Sequence, residues 1–241
     1  MNQKVNSSSL DFDGEYGLRY RSSVRGSIPG YETFLEFAAS TLKSQCPEAQ
    51  DCLVIGPGAG EELTLFLGVL TNARFTLVEP SAQMRSFCMA ELQKINATER
   101  CNWIANTLAI AMKELKAESF DAVIALNLMH LFPPAKQAEA FDQLSTLVAP
   151  GGTMLLSSYS ENLNPLSNNL IVSIAIERLR IQGITEEQIK MIFSSRNQSV
   201  FSFDPSRLVS NSKVKDLGAP LQLMQVGLIR MWLWIRASTK A

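Results

Sequence analysis

The sequence feature that most constrains the fold is a glycine-rich turn between two short apolar runs. The first run, residues 52–55, leads directly into Gly56-Pro57-Gly58-Ala59-Gly60, and after a helical pattern a second run ends on Glu79. This order predicts strand, turn, helix and strand, because the glycines remove side chains where the backbone must turn sharply and approach a ligand. A carboxylate at the end of the second strand is placed to accept both hydroxyls of a ribose. The segment therefore predicts a nucleoside site.

The spacing of the glycines separates two classes of nucleoside. A dinucleotide fingerprint has the pattern G-x-G-x-x-G, in which the third glycine lets the helix pack closely while the helix N-terminus faces a pyrophosphate. Here Gly56, Gly58 and Gly60 follow G-x-G-x-G, and Glu61 occupies the place of that third glycine. A carboxylate at a helix N-terminus is favoured by the helix dipole but repels a phosphate. The spacing favours a nucleoside without phosphates, and S-adenosyl-L-methionine is the common one.

Residues 51–81 resemble motif I and the following acidic strand end of class I S-adenosylmethionine-dependent methyltransferases. The resemblance implies an α/β fold with a doubly wound, mainly parallel seven-stranded sheet of Rossmann-like type and an inserted helical cap. It also implies that S-adenosyl-L-methionine is the cofactor. Residues 58–61 and 78–81 look like the corresponding pieces of histamine N-methyltransferase. Four other stretches are similar to the carboxy-S-adenosylmethionine synthase-like methyltransferase group: 27–31, 126–127, 183–189 and the apolar tail through Trp232.

The order of elements along the chain predicts the domain organisation. Apolar runs alternate with helical patterns as far as Ser158, with short connections, and this alternation is typical of a doubly wound sheet. We expect a flexible N-terminal segment over 1–24 and a methyltransferase domain over 25–241, in which 160–212 is the helical cap. The cap helices are apolar on more than one face. They either close over an apolar small substrate or form a homodimer interface.

The resemblance also implies a set of cofactor-binding residues. Glu79 is expected to bind the ribose, with a strand-end cap as the alternative. Tyr31, at the start of the helix before the first strand, is expected to cover the sulfonium unless it only packs against the N-terminal segment. Asn106 is expected to contact the adenine through its amide, and the backbone at Asn127 to border the methionine moiety. The full set is Tyr31, Gly56, Pro57, Gly58, Gly60, Glu61, Glu79, Pro80, Met84, Asn106, Thr107 and Asn127.

Two departures from the family pattern bear on the cofactor. Most class I enzymes have an acidic residue two places before the first glycine, where it helps to bind the methionine amino group, and here that place is Val54. Glu61 is one substitute, and backbone carbonyls are the other. The synthase group also binds its cofactor's extra carboxylate with an arginine of the inserted helices. The nearest candidate in this sequence is Arg196, which is shifted from the position of that arginine. A plain methyl donor is therefore favoured over the carboxylated cofactor.

The candidate catalytic residue is His130, the sole histidine of the chain. Methyl transfer to a sulfonium-activated carbon depends mainly on alignment, and a base is needed only when the acceptor is a protonated hydroxyl or amine. His130 follows the fourth predicted strand and has the reference pKa of a base at neutral pH, although a packed, hydrogen-bonded histidine is the alternative. The candidate substrate-binding residues are Tyr16, Tyr20, Arg25, Tyr159 and Arg178.

The composition of the chain limits the kinds of molecule that it is expected to bind. The formal net charge of −1 gives no general attraction to nucleic acid or anionic membrane, so nucleic acid is disfavoured as a partner without being excluded. The four cysteines are scattered along the chain and there is one histidine, a composition that disfavours a metal site. We expect the thiols to be buried and reduced. No apolar run is long enough to span a bilayer, and we expect a cytoplasmic protein.

Three alternatives to methylation of an O or N atom of a small molecule stay open. One is a carboxy-S-adenosylmethionine synthase-like or tRNA-modification enzyme. Another is a module that binds S-adenosyl-L-methionine without catalysing a reaction, which is suggested by Val54 at the position where most class I enzymes have an acidic residue. A nicotinamide-dependent oxidoreductase is disfavoured by Glu61 and by Pro150-Gly151-Gly152, which suits the turn into a methyltransferase's fifth strand.

Overall fold

The computed structural model describes residues 10–208 and 216–238, apart from the side chain of Arg207. Its centre is a seven-stranded sheet in the order β3-β2-β1-β4-β5-β7-β6. Strands β1 to β5 are parallel, and β7 pairs antiparallel with both β5 and β6. The strands are β1 (Asp51–Ile55), β2 (Arg74–Val78), β3 (Cys101–Ile104), β4 (Phe120–Ala125), β5 (Val148–Tyr159), β6 (Leu221–Val226) and β7 (Ile229–Ile235).

Helices cover both faces of the sheet. The helices are α1 (Glu15–Ser27), α2 (Tyr31–Gln45), α3 (Glu61–Val69), α4 (Ala82–Lys94), α5 (Leu108–Ala111), α6 (Pro134–Leu147), α7 (Pro165–Ile181) and α8 (Glu186–Ser194). Strand β1 shows how its side chains alternate between the faces: Cys52 and Val54 pack with α2 and α3, while Leu53 and Ile55 pack with α6. The doubly wound sheet predicted from the sequence is confirmed.

The strand order fixes where a ligand binds. The chain runs outward from β1 through β2 to β3 on one side, and from β4 onward on the other, so the order reverses between β1 and β4. In open α/β sheets, ligands bind beyond the carboxyl ends of the strands at such a switch point. The glycine turn after β1 and Asn127 after β4 lie at this place.

The N-terminal part of the chain differs from the expected flexible segment over 1–24. Residues 15–27 form α1, and the residues before it are attached to the start of α4. The Ser81 hydroxyl donates to Asp13 Oδ1 at 2.7 Å and lies 3.1 Å from the Phe12 carbonyl oxygen. These contacts lie some 70 residues apart in the chain, so local patterns do not reveal them. Residues 1–9 lie outside the described ranges.

Helices α7 and α8 lie between β5 and β6, within the range 160–212 predicted to be the cap. Asn164 begins α7 by accepting hydrogen bonds from the backbone N–H groups of Leu166 and Ser167. Thr185 and Gln188 begin α8 with a reciprocal capping box, and their T-x-x-Q spacing is a pattern that predicts a helix start from sequence alone. Residues 209–212 of the expected cap lie outside the described ranges. Over the described residues, no helix combines the length and apolarity that crossing a membrane requires.

Candidate active site

The glycine turn adopts a backbone conformation that excludes ordinary side chains. Gly56 and Gly58 have φ of +66° and +53°, in the left-handed region. A Cβ atom on Gly56 would lie 3.1 Å from Leu128 Cδ1, and one on Gly58 would lie 3.3 Å from the ring of Tyr20. Both positions border a cavity and have little room for added atoms. The turn is a backbone cradle, as predicted.

Glu79 projects from the end of β2 beside this turn. Its Oε2 accepts a hydrogen bond from the Gly58 N–H at 3.3 Å, and its Oε1 accepts one from the Ser81 N–H at 3.0 Å. Burial raises the pKa of this carboxyl, although the two backbone N–H donors act in the opposite direction. A carboxylate has about four acceptor sites, so it has capacity for further donors on its cavity side.

One large cavity connects the sheet edge to the cap. Its volume is about 1580 Å³. At one end lie the glycine turn and Glu79, and at the other end lie apolar side chains of α7 and α8 together with α1. Of the predicted cofactor residues, those that line it are Gly56, Gly58, Glu79, Pro80, Thr107 and Asn127.

The other predicted cofactor residues, Tyr31, Pro57, Gly60, Glu61, Met84 and Asn106, lie outside the cavity lining. Tyr31 is buried in the core, and the Arg25 guanidinium lies 5.3 Å from the centre of its ring. This position favours the packing interpretation of Tyr31, and the contact with a sulfonium stays a prediction. Met84 is fully buried beneath Gly17 of α1. The Pro57 carbonyl closes the turn on the Gly60 N–H, while the Asn106 N–H donates back to Ile104.

Gly60 and Glu61 serve packing rather than the cavity. A Cβ atom on Gly60 would lie 2.5 Å from the Cys88 sulfur, so glycine here lets α3 approach α4. Glu61 pairs with Arg25 at 2.9 Å and lies 3.9 Å from the Arg21 Nε. Of the two alternatives for the acid that is missing at Val54, this pairing favours backbone carbonyls over Glu61, because the Glu61 carboxylate is turned toward Arg25 of α1. Arg25, expected to bind substrate, is instead committed to this pairing.

Asn127 is held in an unusual backbone conformation at the end of β4. Its φ is +52°, which asparagine tolerates better than most residues. Its N–H donates to the Ser157 hydroxyl at 2.8 Å, and that hydroxyl donates to Asn127 Oδ1 at 3.3 Å. The pair fixes the backbone that follows Leu126 along the cavity wall, where the sequence places the methionine moiety.

The predicted substrate residues other than Arg25 all border the cavity: Tyr16, Tyr20, Tyr159 and Arg178. Tyr20 lies over Gly58, so it covers the glycine turn rather than the acceptor end. Tyr159 belongs to a polar cluster that sequence reasoning did not assemble. Arg196 donates to the Tyr159 hydroxyl at 2.7 Å and also to Glu161, and Tyr159 donates to Glu161.

His130 lies in a short 3-10 helix, Met129–Leu131, and borders the cavity. Its Nδ1 accepts a hydrogen bond from the Tyr159 N–H at 3.3 Å and lies 3.4 Å from the Ser158 hydroxyl. Burial lowers the pKa of His130 to about 4, so the ring is neutral at pH 7. Because Nδ1 accepts, the neutral ring carries its proton on Nε2 and is a donor there. This geometry disagrees with the predicted role as general base.

Sequence reasoning missed one buried acid, Glu62. Burial raises its pKa to about 8, with the neighbouring carboxylates of Glu61 and Glu79 adding to the effect. Two adjacent glutamates at the start of a helix point about 100° apart, since a helix has 3.6 residues per turn. This periodicity indicates from the sequence alone that one of the two glutamates faces the surface and the other does not. Among the described residues, no cluster of His, Cys, Asp and Glu is arranged to bind a metal ion.

Comparison with known proteins identifies the central part of the chain. Residues 53–154, from β1 into β5, match the family model of a methyltransferase domain. This part of the chain is therefore similar to a methyltransferase domain. The predicted relationship to class I S-adenosylmethionine-dependent methyltransferases is confirmed at that level, and the carboxy-S-adenosylmethionine synthase-like subgroup is not. Enzymes of this class use S-adenosyl-L-methionine as cofactor, which agrees with the prediction from the glycine spacing.

Solved structures of methyltransferases have the same fold as this chain. An O-methyltransferase family protein from Burkholderia thailandensis aligns with a TM-score of 0.68 at 15% identity, over 98% of this chain and 66% of that one. The chain thus spans slightly less than two thirds of that relative. Magnesium protoporphyrin IX methyltransferase from Synechocystis PCC 6803, solved with bound SAH, aligns with a TM-score of 0.61 at 14% identity, over 94% of this chain and 96% of that one. At such identities the likeness shows the fold alone. The curated proteins contain no match.

Proposed function

We propose that this methyltransferase moves a methyl group from S-adenosyl-L-methionine to an oxygen or nitrogen atom of a small molecule. The observation that carries the proposal is the single cavity that joins the glycine turn to the cap. Its volume of about 1580 Å³ exceeds the roughly 300–1,000 Å³ of pockets that bury one small ligand. It has room for a cofactor at the sheet edge and an acceptor beneath α7 and α8.

The residues at the sheet edge fit the cofactor. Glu79 offers free acceptor sites to the ribose hydroxyls, and Gly56 and Gly58 allow the ligand to lie against the backbone. The acid that most class I enzymes use for the amino group is absent, since Val54 is buried in the sheet and Glu61 is paired with Arg25. We assign that role to backbone carbonyls around Gly56 and Leu126, both of which border the cavity.

The chemistry requires alignment more than acid or base groups. S-adenosyl-L-methionine supplies a methyl group already activated on a sulfonium. With this donor bound, the new bond would form at the acceptor atom as the methyl–sulfur bond breaks with its electrons staying on sulfur, and a protonated acceptor would lose its proton to water or base. Holding the acceptor in line accounts for about 7–11 kcal/mol of barrier reduction in favourable cases. The Nε2–H of His130 orients the acceptor as a hydrogen-bond donor, and the cap excludes water.

The experiment that tests the proposal follows the methyl group. Purified protein is incubated with methyl-labelled S-adenosyl-L-methionine and pools of small alcohols, phenols, amines and carboxylic acids, and labelled products are separated by chromatography. We expect labelled product that depends on one pool and is lost in Gly58→Val, which fills the turn at positive φ. Gly183→Val is the matched control, because Gly183 also has a positive φ, of +78°, but no neighbour within 4 Å of an added Cβ and a place outside the cavity lining.

One observation favours a second candidate, a binding protein without catalysis. Neither Val54 nor Glu61 offers a carboxylate to the methionine end of the cavity. Tight binding of S-adenosylhomocysteine, with no product from any acceptor pool, would establish this candidate and overturn methyl transfer.

A further inference from the structure

The three arginines that line the cavity differ in how their charges are compensated. Arg19 and Arg196 each form an ion pair with a glutamate of the chain. Arg178 has no acidic partner within the described ranges. Its Nη1 donates to the Gly26 carbonyl at 2.7 Å, and its remaining N–H groups make no hydrogen bond to any described residue. Arg178 therefore brings an uncompensated positive charge to the cavity.

The surroundings of this charge are largely apolar. Ile171, Ile174 and Ala175 precede Arg178 on the same face of α7, at helical spacing, and all of them border the cavity. Ile184 and Met191, in the following loop and in α8, continue the apolar wall. A ligand that fills this end of the cavity meets aliphatic side chains along its length and, at Arg178, a guanidinium without an acidic partner among the described residues.

The contact with Gly26 also fixes the direction of the guanidinium. Gly26 belongs to the last turn of α1, where backbone carbonyls lack helical partners, so the bond ties α7 to α1. With Nη1 engaged, the edge formed by Nε and Nη2 is free. That edge presents two parallel N–H groups, which is the geometry that matches the two oxygens of a carboxylate.

We propose that Arg178 binds a carboxylate of the methyl acceptor, so that the acceptor is an apolar carboxylic acid. This proposal rests on the proposed function, because it places the acceptor beneath the cap. The apolar wall binds the body of the acid, and Arg178 sets its orientation relative to the sheet edge. A purely structural role for Arg178, as a tie between α7 and α1, predicts no preference between an acid and its uncharged analogue.

The test compares acids with amides of the same shape. Phenylacetate, 4-phenylbutyrate, biphenyl-4-carboxylate and dodecanoate, each with its primary amide, are titrated into the full chain by calorimetry in the presence and absence of S-adenosylhomocysteine. We expect at least one acid to bind roughly tenfold or more tightly than its amide, since hydrogen bonds to charged groups have that strength. Arg178→Gln should remove the difference.

Arg180→Gln is the matched control. Arg180 lies two residues away on α7 and forms its ion pairs with Glu177 and Glu186 outside the cavity lining, so the preference for the acid should persist. Arg178→Lys keeps the charge without the planar fork and is the fallback if the glutamine variant does not fold; its preference should be smaller than that of the wild type. Equal affinity for every acid and its amide in the wild type would overturn the proposal. So would an undiminished preference in Arg178→Gln or Arg178→Lys.

Failure of this proposal is distinguishable from failure of the proposed function. Binding of S-adenosylhomocysteine is measured separately on the same preparations and should not change in Arg178→Gln, because Arg178 is on the cap. Absence of any acid preference in the wild type, together with intact binding of S-adenosylhomocysteine, would overturn the proposal on Arg178 alone. Absence of cofactor binding in the wild type concerns the proposed function alone.

Discussion

The backbone N–H of Tyr159 donates a hydrogen bond to Nδ1 of His130, over 3.3 Å. This bond joins the end of β5 to the 3-10 helix that follows β4, and it occupies the ring nitrogen that would otherwise accept a proton. The Ser158 hydroxyl lies 3.4 Å from the same nitrogen. His130 therefore faces the cavity as a neutral ring whose available group is the Nε2–H.

The neutral state of His130 leads to a prediction about how the rate of methyl transfer depends on pH. Because burial holds the pKa of His130 at about 4, its ionisation should not appear in the rate of methyl transfer near neutral pH. The profile of kcat/KM between pH 5.5 and 8.5 should have the same shape in wild type and His130→Gln. The variant should be slower by up to about tenfold, the value of one neutral hydrogen bond. A midpoint near pH 6.5 that disappears in His130→Gln would restore the general-base role.

Glu62 should destabilise the protein at alkaline pH. Its folded pKa of about 8 lies above the unfolded value of 4.5, so its contribution to stability is fully present below pH 4.5 and is lost as the pH rises through 8. Glu62→Gln has no such dependence. We expect it to raise the free energy of unfolding by about 4 kcal/mol at pH 8 relative to wild type, and to have little effect at pH 4.

Urea denaturation at both pH values measures the difference. Glu99→Gln is the control, because Glu99 is exposed on the surface. The same stability gap for Glu62→Gln at pH 4 and pH 8 would show that the Glu62 carboxyl titrates normally in the folded protein.

Glu79 should determine cofactor affinity. Glu79→Gln replaces one carboxylate oxygen with an NH2 group that faces the N–H of Gly58 or Ser81, and it removes acceptor capacity from the ribose side. The dissociation constant for S-adenosylhomocysteine should rise by about ten- to a hundredfold, the range for a hydrogen bond to a charged group. Calorimetric titration measures it, again with Glu99→Gln as the control. Unchanged affinity would leave Glu79 as a cap of the turn and of α4 only.

Substitution by alanine should change the stability of the protein in opposite directions at two glycines, one at each end of α3. Gly60 has φ of +79°, and an added Cβ would lie 2.5 Å from the Cys88 sulfur and 3.0 Å from its Cα. Gly60→Ala should lower the free energy of unfolding by about 1–3 kcal/mol. Gly68, in α3, has open space around an added Cβ. Gly68→Ala should stabilise by about 0.5–1 kcal/mol, since alanine favours the helix. Thermal unfolding checks both; a stable Gly60→Ala would contradict the close packing of α3 on α4.

Much of the fold was predictable because it depends on short-range patterns. The apolar run of β1, the alternate glycines after it and Glu79 at the end of β2 are enough to predict the nucleotide-type site and the doubly wound sheet. Thr185 and Gln188 predicted the start of α8 in the same way. In each case the pattern that directs the structure lies within a few residues, or within one strand–turn–helix unit.

The parts that failed depend on contacts distant in sequence. Tyr31 and Glu61 have positions expected of cofactor contacts, yet both are turned toward Arg25 of α1, whose place depends on the attachment of Phe12 and Asp13 to Ser81. The tie from Arg178 to Gly26 spans 152 residues. Spacing along the chain places a residue on a helix but does not say which neighbour covers it.

The central claim, that the cavity at the end of β1 and β2 binds S-adenosyl-L-methionine, is tested most directly by calorimetric titration of the purified protein with S-adenosylhomocysteine and, separately, with NAD. We predict saturable binding of one S-adenosylhomocysteine per chain and no binding of NAD, because Glu61 begins the helix where a pyrophosphate would lie. Absence of S-adenosylhomocysteine binding, or binding of NAD in its place, would contradict the account.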